Sequence, residues 1–162
     1  MKRITSLLTR GALASALAVG GLMAVGSPAQ AATMKCSAQQ HKEFPTSGFN
    51  TDVKIYVCIT GLGGNEYDAT VIASWSDGGG VKKFDNFDIQ VRLERNNAPI
   101  VYRTCDITAQ INDYSVGRSQ CDSPIYITGN PSGLTGDGKV NYNLDANGAG
   151  GFTWELTGSP VY

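Results

Sequence analysis

The sequence predicts an all-β fold: an antiparallel β-sandwich of seven or eight strands carrying two disulfides. Three observations lead there. Apolar and polar side chains alternate with a period of two through most of the chain. Gly- and Asn-rich stretches interrupt these runs at hairpin-like intervals. Four cysteines follow a leader of the kind that directs export. A small closed barrel would share this pattern. Beyond residue 31 no stretch shows the 3.6-residue period of an amphipathic helix.

The first 31 residues are set apart from the fold. Lys2, Arg3 and Arg10 precede an apolar run from Gly11 to Val25, and Ala29-Gln30-Ala31 gives the small-x-small pattern of a signal-peptidase site. Residues 1–31 are therefore expected to be a signal peptide, leaving a chain of 131 residues from Ala32, enough for one domain. Residues 32–50, with Gln39, Gln40, Pro45 and Gly48, lack period-two burial and are expected to form an irregular N-terminal arm held by Cys36. The sandwich is expected to span 51–162.

Within that domain, Val53, Ile55, Val57 and Ile59 alternate with Lys54, Tyr56 and Cys58, which gives a strand with one buried face. The Gly61 to Asn65 stretch is turn chemistry, and Tyr67, Ala69, Val71, Ala73 and Trp75 continue as the second arm of a hairpin. After Asp77-Gly-Gly-Gly80 comes a strand with Phe87, Ile89, Val91 and Leu93 inward, ended by Asn96 to Pro99. Ile100 to Ile111 is expected to be extended, as is Pro124 to Thr128, followed by a loop from Gly129 to Gly138. Val140, Tyr142 and Leu144 then pair across a Gly-rich turn with Phe152, Trp154 and Leu156.

The four cysteines, Cys36, Cys58, Cys105 and Cys121, permit three pairings. Sequence neighbours are the favoured partners in a meandering sheet, hence Cys36–Cys58 and Cys105–Cys121. Zinc is disfavoured because no two cysteines have ligand spacing and His41 is the only histidine.

Charge narrows the partners. Lys2, Arg3 and Arg10 are three of 13 basic residues, so the exported chain keeps ten against 14 acidic, a net charge of −4. It offers neither the basic stripe of a nucleic-acid binder nor a cationic membrane-surface helix, and no segment beyond the leader approaches the roughly 20 apolar residues of a membrane span. The expected product is extracellular, without nucleic-acid or membrane partners.

Catalytic constellations are expected to be absent. A Ser-His-Asp triad would have to use His41, whose surroundings match a solvated loop. Asp85, Asp88, Asp106, Asp113 and Asp122 fall at strand ends or on outward faces, the usual place of solvated carboxylates. No phosphate loop or dinucleotide fingerprint occurs, so no cofactor is expected. Asn143, Asp145, Asn147 and Gly148 imitate half of a calcium loop, but position twelve is Trp154 and Glu155 comes one residue late, so no metal is expected either. Trp75 and Trp154 share parity with the apolar set and are expected in the core rather than on a sugar-stacking face.

What remains is a non-enzymatic module that binds one or more secreted proteins. Phe44 and Phe49 on the arm, around Pro45 and Gly48, are the candidate anchors for a partner's groove, with burial over one end of the sandwich as the alternative. Tyr56, on the polar parity of its strand, is the third partner-binding candidate. The second class is a secreted protease inhibitor, its reactive loop at Asp106 to Gln120 between two cysteines and Arg118 as the specificity residue. Carbohydrate binding comes after it.

The alanine- and glycine-rich leader and the four-Cys layout resemble small exported proteins of actinomycetes. The plan of leader, arm and sandwich is similar to the adaptor subunit of umbrella-shaped toxin particles. There a disulfide-bearing β-domain joins a lectin-bearing subunit to the stalk of a large toxin polypeptide. The resemblance implies an adaptor in an extracellular assembly used in bacterial antagonism. It lies in the plan of the whole exported chain and transfers no binding residue.

Overall fold

The computed structural model describes residues 32–78, 82–145 and 148–162. The expected signal peptide lies outside them. Two antiparallel sheets pack face to face as a sandwich. In the first, β1 (Thr33–Cys36) and β2 (Gln40–Phe44) lie end to end along β3 (Thr51–Gly63). This strand pairs with β4 (Glu66–Ser76), whose far side takes β7 (Gly117–Asp122) and β8 (Tyr126–Ile127). The second sheet runs in the order β10 (Phe152–Glu155), β9 (Leu134–Leu144), β5 (Phe84–Arg95), β6 (Ala98–Asp106). Because four of the first sheet's strands share two rows, the fold is a four-on-four sandwich.

The period-two pattern sets the core. Val53, Ile55, Val57 and Ile59 of β3, Ala69, Val71, Ala73 and Trp75 of β4, and Phe87, Ile89, Val91 and Leu93 of β5 are all buried between the sheets. Both central hairpins turn through two left-handed residues, Gly64 and Asn65 at φ 59° and 66°, and Asn96 and Asn97 at 52° and 63°. That turn follows the twist of the strands it joins, and Gly and Asn tolerate it best. From Leu156 onward the C-terminal tail prolongs the row of β10: Leu156, Ser159 and Tyr162 N–H groups donate to the carbonyls of Gly138, Gly136 and Leu134.

The arm expected at 32–50 is not irregular. β1 and β2 are edge strands, and β1 is exposed throughout, so no alternation marks it. β2 turns Phe44 inward, where it is 1% exposed. Its ring meets those of Phe84, Phe87, Tyr142 and Trp154 edge-on at 4.8–6.2 Å, a favourable aromatic geometry. Lys42 covers this cluster, its Nζ donating to Tyr142 Oη at 2.9 Å.

A second departure follows β6. The stretch expected to stay extended to Ile111 instead forms α1 (Thr108–Asp113), which buries Ile107 and Ile111 four residues apart. Asn112 clamps it to β5, accepting from the Lys83 and Phe84 N–H groups and donating to Phe84 O. Buried Lys83 donates from Nζ to the Ile111 and Tyr114 carbonyls at 2.8 and 3.0 Å, and burial lowers its pKa. The chain beyond 128 also departs from expectation, since β9 begins at Leu134 rather than after Gly138.

Both disulfides pair as expected. Cys36–Cys58 joins directly opposed residues of β1 and β3 on the outer side of the first sheet. Cys105–Cys121 runs from β6 to β7 and so ties the two sheets together at one edge.

Candidate functional site

The outer face of the first sheet carries side chains in rows set by strand register. One row holds His41, Lys54, Ser74 and Arg118 on β2, β3, β4 and β7 in turn. The next holds Tyr56, Ile72 and Gln120, and the one beyond it Cys36, Cys58, Thr70 and Asp122. On the other side of the first row lie Glu43, Asp52 and Ser76.

A groove of about 510 Å³ opens on this face, lined by Ser37, Gln39, Tyr56, Ile72, Ser74, Arg118 and the Cys36–Cys58 disulfide. It exists because the β3 edge is covered by two short strands with a break between them. At the break, Ser37 exchanges hydrogen bonds with Val57, its N–H donating at 2.8 Å and its Oγ accepting at 3.1 Å. Gln39 Nε2 donates to Tyr56 Oη at 2.6 Å and orients the ring. Ser74, a small side chain between Lys54 and Arg118, leaves the floor open.

Beside the groove, Glu43, Phe49, Asn50, Asp52 and Asp77 line a more polar depression of about 400 Å³. His41 Nε2 lies 2.7 Å from Asp52 Oδ1, so the histidine sits in a strand and not in the solvated loop expected for it. One row past the disulfide, burial and the charge of Asp122 raise the pKa of Asp68.

The three partner-binding candidates separate. Phe44 faces the core, so the expectation that it anchors a partner is corrected; the inward parity of β2 decides it. Phe49 stands out at 76% exposed. Only Tyr56 lies in the groove, half-buried, as its polar parity indicated. Arg118, singled out as an inhibitor's specificity residue, is there as well, but as the ladder partner of Ser74. The Cys105–Cys121 segment is α1 followed by β7 and is not an extended loop. Sequence reasoning does not single out Ile72, Ser74 and Gln39: Ile72 and Ser74 sit on β4 opposite Tyr56 and Lys54, and Gln39 reaches the groove from the break between β1 and β2.

Three of the remaining carboxylates are occupied locally, whereas Asn143 Oδ1 is buried without a hydrogen-bond partner. Asp85 and Asp145 accept from Lys82 Nζ at 2.6 and 2.8 Å, and these hydrogen bonds, to Asp145 first, raise the lysine's pKa. Asp122 accepts from Thr70 and Gln120. Asn147 of the calcium-like stretch lies outside the described residues. Among the described residues, no group of three or more His, Cys, Asp or Glu is placed to hold a metal ion. Trp75 is buried, and Trp154 packs partly buried against the core. Among the described residues no helix is long and apolar enough to cross a membrane.

Comparison of the chain with protein-family models, with curated proteins and with solved structures finds no match to any of them.

Proposed function

We propose that the protein is an exported, non-enzymatic module that binds another secreted protein through the outer face of its six-stranded sheet. The observation that carries this reading is the groove over Tyr56 and Ile72 beside the exposed Arg118. Tyr and Arg set around an apolar centre are the side chains that most often dominate binding energy between proteins. The leader sequence and the two disulfides support an oxidising, extracellular setting. An adaptor in a bacterial toxin assembly, the role suggested by the plan of the chain, needs a rigid body with separate faces for two partners. The two outer faces of a sandwich supply them.

The test is affinity capture from culture supernatant with the exported protein and with Ile72→Glu. The wild type should capture a saturable, stoichiometric secreted protein, and Ile72→Glu should lose it at nearly unchanged Tm. No saturable partner, or capture unaffected by the substitution, would refute the reading.

A further inference from the structure

The rows of the outer face separate charge from apolar surface. Lys54 and Arg118 flank Ser74 in one row, and Tyr56 and Ile72 fill the next. Among the described residues neither cation has an ion-pair partner, whereas His41 in the same row is engaged by Asp52. Lys54 and Arg118 stand two ladder positions apart, about 10 Å, with the small Ser74 and no acidic side chain between them. The two rows lie two residues apart along β3, which is about 6.8 Å in an antiparallel strand.

Resting on the reading of the protein as a binding module, we infer that this groove takes an extended acidic segment of the partner protein. A carboxylate side chain sits over Lys54 and Arg118, and an apolar side chain two residues away sits over Tyr56 and Ile72. Geometry supports the match. An extended peptide laid along β3 projects residues i and i+2 to the same side, about 6.8 Å apart, which is the separation of the rows. A guanidinium receives a carboxylate through two parallel hydrogen bonds, and Lys54 adds a point charge beside it. Tyr56, Ile72 and the Cys36–Cys58 disulfide give the second side chain an apolar bed. The row beyond Lys54, with Glu43 and Asp52, repels a second carboxylate placed there and so fixes the register. An acidic polysaccharide suits the face less well, because it would repeat its charge where the protein presents Tyr56 and Ile72.

The experiment is a titration of the isotope-labelled exported protein, followed by amide NMR at low salt. The probes are the peptide Ac-Gly-Glu-Ser-Leu-Gly-NH2, the same peptide with Lys in place of Glu, and trigalacturonate. The Glu peptide should shift the amides of Tyr56, Ile72, Ser74 and Arg118 saturably. The Lys peptide should bind about tenfold more weakly, as should the Glu peptide to Arg118→Glu, whose other amide signals remain in place. Equal binding of the two peptides, or shifts confined to another face, would overturn the inference. So would saturation of these amides by trigalacturonate at lower concentration than by the Glu peptide, which would assign the groove to acidic sugars. If Arg118→Glu still captures the same secreted protein as the wild type, this inference falls while the binding-module reading stands.

Discussion

Phe44 and Phe49 lie five residues apart and have opposite environments, 1% and 76% exposed. The difference follows from strand parity. β2 pairs with β3 so that Gln40, Lys42 and Phe44 oppose Ile55, Val53 and Thr51 on the core side, whereas Phe49 falls past the end of β2. Removing the Phe44 ring empties the centre of a five-ring cluster, and large-to-small changes at such sites cost about 3–5 kcal/mol. Phe44→Ala should lose that much in urea unfolding. Phe49→Ala should stay within about 0.5 kcal/mol of the wild type, as exposed substitutions do. A comparable loss for both would mean that Phe49 also packs into the fold.

At the scale of the elements, glycines explain why part of β9 is hidden in the sequence. Its inward positions run Leu134, Gly136, Gly138, Val140, Tyr142, so the first half reads as a loop. Gly136 faces β3, and a Cβ built there would stand 2.4 Å from the Cys58 carbonyl oxygen. Gly136→Ala should therefore cost about 1–3 kcal/mol in thermal or urea unfolding, the usual penalty of overpacking. α1 is hidden for another reason: six residues are too few to display a 3.6-residue period, and tertiary clamps from Asn112 and Lys83 hold it. Its start carries a pH dependence. Asp106 accepts hydrogen bonds from the Thr108 hydroxyl and N–H, which hold its carboxyl below the ordinary 3.8. A depressed folded-state pKa contributes stability above 3.8 that is lost as pH falls through the folded value. The stability gap between wild type and Asp106→Asn should accordingly be present at neutral pH and close in that acid range. β3, β4 and β5 were legible because each buries one face completely, and the cysteine pairing because neighbours in sequence are also neighbours in space, on paired strands for Cys36–Cys58 and across the two sheets for Cys105–Cys121. The groove was legible only as Tyr56 and, for another reason, Arg118. Ile72 and Ser74 join it through cross-strand register, and Ser37 and Gln39 through the break between β1 and β2, neither of which a single strand's pattern contains.

Over the whole molecule, the two disulfides divide the work. Loops of 22 and 16 residues each restrict the unfolded chain by about 3 kcal/mol in the entropy model, so replacing either pair by alanines should lower stability by a similar amount. Their effects on the groove should differ. Loss of Cys36–Cys58 frees β1 from the groove wall and should weaken partner capture beyond what stability explains, while loss of Cys105–Cys121 loosens the far edge and should spare capture in protein that remains folded. The sandwich presents two broad outer faces, and the groove distinguishes the six-stranded one. Photo-crosslinking from a benzophenone amino acid placed at Tyr56 or at Tyr102 tests which face works. Tyr102 is 65% exposed on the outer side of the four-stranded sheet and serves as the comparison. The secreted protein whose capture Ile72→Glu abolishes should crosslink from position 56 and not from position 102; its crosslinking from 102 with none from 56 would contradict the assignment of the binding face.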